Sequence, residues 1–514
     1  MAVTRISGLA SGMDIDAMVK KLMQAESQPL NKLNQNKQLM EWKREGYRET
    51  SVKLVTFAQN KINDTFSKLT SLNAQKASVS GNTSAVTVKA STSAVGNMEI
   101  EVTQLAKAAS TKSSSVPTKG GSENDWGKVL LSDISGSGVA SSGTLNVQIN
   151  GVDIAIDGAT ETLDSFVKKI NANTKAGVTA IYDSATGNMS ISSKTTGVDS
   201  NSITLNGDVF TAFKLNSQLS GGVDAKVKIN GLEVTKASNS FNINGVDITL
   251  NTLSNGETTR VAVTKDIDKI VETVQSFVDS YNELMSFLNG KVNEERYSKY
   301  TPLTSDQKSD MSDDEVKLWE DKAKSGMLKR DSILEGTISQ MRTALVQTVK
   351  LDSPITLENG AKTTSEINMT HIGITTGTYE TKGKLILDTD KLRAALEENP
   401  DIVSSYLGNN YSSSYLNNDY NSSDGVFSRL RKISNKTLDS LANTAGTSRV
   451  STELTASFNV SSSMGESLRL LDIRISDFTA RLNMKETNYF KKFTAMETAI
   501  NKYNNTSSSL SSFM

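Results

Sequence analysis

Apolar residues recur at helical spacing at both ends of the chain and at every second position through its middle. From Asp14 onward Ile15, Met18, Val19, Leu22 and Met23 share one helical face, with Ser11 and Asp14 placed as N-cap and first-turn acid. Pro29 breaks or restarts that helix. Beyond it Leu33, Met40, Tyr47 and Leu54 recur every seven residues, and Val55, Ala58, Ile62, Thr65, Leu69 and Leu72 continue in threes and fours. The spacing predicts a long helix of coiled-coil type ending near Asn73. At the other end Leu468, Leu471, Ile475, Phe478 and Leu482 step by three and four, and Tyr489, Phe493, Met496, Ile500 and Tyr503 resume the pattern after a four-residue stutter near Met484. The tail NNTSSSLSSFM is too polar to prolong that helix.

The middle reads as strand from about residue 77, where AVTVKA and MEIEVTQL alternate. A hairpin phrase occurs three times: INGVDI at 149–154, INGLEV at 229–234 and INGVDI at 243–248. Asn-Gly supplies the two positive-φ positions of a type I′ turn, and the flanking alternation supplies the paired strands. One helical stretch, LDSFVKKINA, separates the first two copies. The region 77–264 is therefore expected to be mainly β, with one small domain nested in another. Helical pattern returns over 267–289 with one broad apolar face, and again from Ile333 to Leu351. The segment Ser405–Asp424 is rich in Ser, Asn and Tyr and is expected to be an exposed or poorly ordered loop.

Composition removes several kinds of chemistry. With 56 Lys+Arg against 57 Asp+Glu among 514 residues, no whole-chain field draws in nucleic acid or an anionic membrane. The absence of cysteine excludes disulfides, thiolate nucleophiles and cysteine metal sites, and a single histidine excludes any site that needs two imidazoles. No cleavable secretory signal and no apolar run long enough for a membrane span is visible, which on these grounds alone would suggest a cytosolic protein. His371 in MTHIGITT reads as a strand residue rather than a base. Asp388 and Asp390 read as the start of a helix capped by Thr389 or Asp390, not as a metal site. The glycines of SGSGVASSG lack phosphate-loop spacing, and Asp310, Asp313, Asp314 and Glu315 lack that of a calcium loop, so the acids read as a solvated helix start. No catalytic residue, metal or cofactor is expected. Periodicity leaves the terminal stripes two partners, each other or further subunits.

Eight segments resemble, in order, those of the bacterial flagellar filament cap family. They are ISGLASGMDIDAMVKKLMQAESQPL (6–30), with its Ala25, Glu26, Pro29 and Leu30 box, then VTQLAKA (102–108), FNINGVDITL (241–250) and FVDSYNEL (277–284). YTPLTSDQK (300–308), LWEDKAKSGMLKRD (318–331), HIGITT (371–376) and GKLILDTDKLRAALEENPDIV (383–403) complete the series. The resemblance implies an α+β multidomain chain with a coiled-coil leg from both termini, a helix-rich inner domain and mainly β outer domains. The expected map is a leg segment at 1–40, an inner-domain helix at 41–76, an outer β domain at 77–112 and 222–264, an inserted outermost domain at 113–221, the inner domain at 265–450 and a coiled-coil leg at 451–514.

As function, the resemblance implies capping the distal filament end, retaining exported flagellin and promoting its insertion. Its partners would be copies of itself in a closed ring, commonly a pentamer, flagellin, hook–filament junction proteins and a cytoplasmic export chaperone, with no nucleic acid and no membrane insertion. The location would be extracellular, after export through the flagellar apparatus without a cleaved signal. Contacts with the filament and between copies are expected on Ile15, Met18, Leu22, Leu468, Leu471, Ile475, Phe478, Leu482, Tyr489, Phe493, Met496 and Ile500. An extracellular adhesin is the alternative, as is a hook–filament junction protein, against which PLTSDQK and KSGMLKRD argue.

Overall fold

Each Asn-Gly pair closes a two-residue hairpin. In the computed structural model, which describes residues 13–198, 203–215, 219–357, 360 and 362–511, φ is 54° and 76° at Asn150 and Gly151, 49° and 83° at Asn230 and Gly231, and 50° and 79° at Asn244 and Gly245. These are the left-handed values a type I′ turn requires, and they set Ile149 opposite Val152, Ile229 opposite Leu232 and Ile243 opposite Val246. Two compact units result, Asn73–Asp266 and a second built from Met1–Leu72 with Ile267–Met514.

In the β-rich unit, an antiparallel five-stranded sheet runs in the order Gln75–Gly81, Thr259–Lys265, Asn97–Gln104, Ala225–Ile229 and Leu232–Lys236. A three-stranded sheet of Ser240–Ile243, Val246–Leu250 and Val86–Ala90 shares one core with it through Val86, Ile100, Val227, Val246, Ile248 and Val261. Residues 109–215 close a separate core around Trp126, Val147, Phe166, Ile191 and Phe210. The helix Leu163–Ala172 lines this second core with Phe166, Val167 and Ile170, and Thr162 caps it through a reciprocal bond with Ser165.

The helical unit contains α1 (Ile15–Glu26), α2 (Gln28–Val55), α3 (Ile267–Asn293), α4 (Ser332–Val346), α5 (Val426–Ala445) and α6 (Ser463–Ser511). After α2 the chain does not stay α-helical to Asn73: Thr56–Phe66 is π-helical, followed by a short α-turn at Leu69–Leu72. Steps of four now carry the buried face, through Ala58, Ile62 and Phe66, and Thr65 turns outward. An i→i+5 bond pattern suits that wider step. It aims Phe57 at Tyr281, and Phe66 at Phe277 and Phe427, with ring centroids 6.0–6.5 Å apart.

The Ser/Asn/Tyr segment is not a loose loop. Its start is the helix Ile402–Leu407, and its remainder is bound by cations of α5, among them Arg429, Arg431 and Lys432. Arg429, 1% exposed, directs all five N–H donors at carbonyls: Asp424 at 2.7 Å, Ala344 and Gln347 at 3.0 Å each, Thr348 at 2.7 Å and Ser422 at 3.0 Å. Arg431 donates to the carbonyls of Ser412, Ser413 and Ser414, and Lys432 pairs with Asp424 at 2.8 Å. Backbone oxygens thus satisfy the buried charge while Arg429 caps the C-terminal end of α4.

Other expectations change in detail. His371 lies in a 3₁₀ turn, Met369–Ile372, rather than a strand; its Nδ1 accepts from Asn368 N–H at 3.1 Å, and Gly373 ends the turn at φ 71°. Asp388, not Thr389 or Asp390, caps the helix Thr389–Glu398. Asp14 is the N-cap of α1, whose first-turn acid is Asp16; Ser11 lies outside the described residues. The C-terminal helix runs on through the polar tail to Ser511. Serines and threonines there continue the backbone ladder, and Thr506 and Ser509 return their hydroxyls to the carbonyl four residues back.

Replacing Arg429 by Met takes a donor from five carbonyls, those of Asp424 and Ala344 in buried bonds and the other three in partly buried ones. Unfolding free energy of the helical unit is expected to fall by about 3 kcal/mol, read as a lower urea midpoint by circular dichroism, with Arg429→Lys intermediate. An unchanged midpoint would show that the carbonyls find other partners.

Candidate functional site: the paired terminal helices

The first and last helices pair antiparallel within one chain. Asp14 starts α1 by accepting the Ala17 N–H at 2.9 Å, and Pro29, in the first turn of α2, has no N–H to leave unsatisfied. One residue, Ser27, separates the two helices. Along α6, Lys485 Nζ reaches Glu26 at 2.6 Å, and Asp472, further toward its start, reaches Lys37 at 2.7 Å. Tyr489 adds its hydroxyl to Glu26 at 3.2 Å. Before α6, Arg44 and Arg48 of α2 lie over the Phe458 ring at 4.2 and 4.6 Å and donate to the carbonyls of Ala445, Asn459 and Ala456. As α1 and α2 advance, their contacts therefore move backward along α6.

The expected surface residues divide by position. Ile15, Leu468 and Leu482 are buried by neighbours in the same chain. Met18, Leu471, Ile475, Phe478, Tyr489, Phe493 and Ile500 are half-buried, leaving one side open. Leu22 and Met496 are exposed, at 40% and 37%. Tyr503, the last residue of the stripe, is exposed as well, and beyond the stripe α6 also exposes Leu470, Ile473 and Met484. Periodicity did not single out these last three, because it marks only the regular face. The clamp of Arg44, Arg48 and Phe458 was equally hidden, since two arginines four apart on a polar helix carry no sign of a ring arriving from residue 458.

The charges at the pair are tuned by their partners. Lys485 donating to Glu26 holds that carboxyl below its ordinary range, and Glu26 raises Lys485 in return. Asp472 likewise raises Lys37. Among the described residues, no helix is long and apolar enough to cross a membrane.

The paired terminal helices thus bury their inner residues and leave an apolar outer side uncovered. Family models described as flagellar hook-associated protein 2 N-terminus and C-terminus match residues 11–109 and 222–505. The chain belongs to the flagellar hook-associated protein 2 family. It is similar to the flagellar hook-associated protein 2 of Halalkalibacterium halodurans, 29% identical over 556 aligned positions covering 99% of each chain. It is also similar to that of Thermotoga maritima, 30% identical over 375 positions, 69% of this chain and 52% of the relative. A solved structure titled flagellar cap protein FliD D1-D2-D3 domains, from Escherichia coli, aligns at 21% identity and a TM-score of 0.49, covering 78% of this chain and 96% of that one.

Because Glu26 is depressed, its contribution to helix pairing is present above about pH 4.3, the unfolded value, and is lost as pH falls through the lower folded one. Lys485 is raised, so its contribution is lost only as pH climbs past about 10.4 through its folded value. Hydrogen-exchange protection of α1 relative to α3 is expected to hold level from about pH 5 to 10 and to fall in acid. Glu26→Gln should lower α1 protection at neutral pH and flatten the acid limb; protection equal to wild type at both pH values would refute the role given to the ion pair.

Proposed function

We propose that this chain caps the distal end of the growing bacterial flagellar filament, keeping exported flagellin there and promoting its folding and insertion beneath the cap. It is a protein of the flagellum tip that associates with itself and with the filament. The observation carrying the finer reading is the uncovered outer side of α6: Leu470 and Ile473 at 46% exposed and Met484 at 60%. Several aliphatic residues left in water along one helix suit a surface that is covered on assembly. In this reading residues 1–40 and 451–514 form the leg, 41–76 and 265–450 the inner domain, and 77–264 the outer β region with 113–221 inserted as its outermost part.

Identical copies joined head to tail close a ring, taken to be a pentamer. Where ring and filament symmetry differ, the legs cannot all bind equivalently, and one unfilled position admits the next flagellin. Contacts of modest affinity let a leg change partners, because each docking gives up part of its interaction energy to ordering. The same reading places hook–filament junction proteins beside the cap at assembly and a cytoplasmic chaperone with the chain before export, which proceeds through the flagellar channel with no cleaved signal. The absence of cysteine, and hence of disulfides, is compatible with refolding outside the cell.

Deleting residues 465–514 is expected to leave the β-rich unit folded and to abolish filament growth in a strain lacking its own cap. Substituting Asp for Leu471 and Ile475 should reduce filament length severalfold without lowering the melting temperature of the β-rich unit. Filaments of normal length from either variant, seen by electron microscopy, would sink the leg assignment.

A further inference from the structure

A cleft of about 780 Å³ lies between α3, α4 and the hairpin of Ile374–Thr376 with Leu385–Leu387. Val292, Ile338, Leu345, Val346 and Leu385 form its apolar wall. Tyr281 also lines it; this side chain is fully buried, and its hydroxyl has no hydrogen-bond partner among the described residues. A buried hydroxyl in that state has given up its water for nothing inside the chain. Burial raises its ionisation, so it remains a neutral donor.

Arg342 of α4 lines the same cleft, and its charge reaches the Tyr281 hydroxyl. The Arg342 stem crosses the hairpin so closely that a Cβ on Gly383 would lie 2.7 Å from its Cδ, which fixes where the guanidinium emerges. Arg342 is exposed and makes no ion pair among the described residues. Glu335 lines the far end, two helical turns or about 10 Å away, leaving Arg342 as the cation beside Tyr281. Val346 at 55% and Ile386 at 54% exposed leave apolar surface in water on α4 and the hairpin. The cleft thus holds two donors and an aliphatic wall, a fit for an anionic acceptor flanked by aliphatic residues.

The segment between α5 and α6 displays such a group. Val450 is 72% exposed and Leu454 53%, and between them Glu453 is exposed and makes no ion pair among the described residues. The turn is held in shape: Ser448 Oγ accepts from the N–H groups of Val450 and Ser451 at 3.3 and 3.0 Å, and Ser451 Oγ accepts from that of Glu453 at 3.1 Å. Arg48 anchors Ala456 just beyond.

We propose that Glu453 of one copy enters the Tyr281–Arg342 cleft of the next, accepting from the guanidinium and the hydroxyl while Val450 and Leu454 cover the aliphatic wall. Cleft and turn are different surfaces, so the contact is heterologous and propagates head to tail, the kind that closes rings. Charge-assisted hydrogen bonds set its register. The inference rests on the cap reading only in naming the contact that joins its copies.

The test is a charge swap in the full chain, read by sedimentation velocity over a concentration series. Arg342→Glu and Glu453→Arg are each expected to raise the dissociation constant of self-association about tenfold or more, and the double variant to return within about threefold of wild type. Both positions are exposed, so melting temperatures should stay unchanged. Tyr281→Phe, which removes only the unpartnered hydroxyl, should weaken association without lowering the melting temperature. Wild-type association in the single variants, or a double variant no better than the weaker single, would overturn the contact. In that event, restored filament growth by the Arg342→Glu chain in a strain lacking its own cap would leave the cap reading standing. Failure of the wild-type chain in the same strain would remove that reading instead.

Discussion

The structure depends on covering the apolar side of a 49-residue helix. At 1.5 Å per residue α6 is about 73 Å long, and α1 with α2 lies antiparallel along it. Inner residues such as Leu468 and Leu482 are sealed by this pairing, and the ion pairs Lys37–Asp472 and Glu26–Lys485 fix its register. Surface pairs of this kind contribute little energy, so the apolar stripe supplies the attraction. Yet the cover is partial. Ile475 and Phe478 are half-open, and the described positions 501–509 are exposed. The inner side of this helix therefore holds the chain's ends together, and its outer side stays open.

Cations show the same contrast between what is finished within the chain and what is left open. Arg429 is buried and saturated by five carbonyls, so it organises α4, α5 and the Ser/Asn/Tyr segment and has nothing further to offer. Arg342, on the same α4 that Arg429 caps, is held by its stem and makes no ion pair among the described residues, near a hydroxyl that has no partner among them either. A chain built to finish its contacts in an assembly carries groups of the second kind.

The elements most legible in the sequence were those specified by local chemistry. The Asn-Gly turns required positive φ and have it, and the stripe of α3, with Ile270, Val274, Phe277 and Tyr281 buried, is present as its spacing predicts. What periodicity misjudged depended on distant partners. Ser405–Asp424 looked unstructured because its hydrogen-bond donors sit on α5, in side chains whose charge ordinarily marks a solvated face. The π-helical Thr56–Phe66 hid because steps of four fit a loosely read α pattern as well as a wider turn. The polar tail of α6 defied its composition, since helix propensity there is weak but unopposed. The stripe from Leu468 to Ile500 predicted a helix that is present, and the split between its sealed and open residues needed the position of α1 and α2.

A chain without cysteine allows a single introduced thiol to report on one neighbour. Ile473→Cys places it on the outer side of α6, away from the intrachain seam. Cross-linking this variant at the tips of assembled filaments with a short thiol-to-amine reagent, and identifying the product by mass spectrometry, tests whether that side meets the filament. The account predicts a linkage to flagellin. Linkage only within the cap chain, with flagellin captured instead by a thiol placed in the β-rich unit, would contradict it.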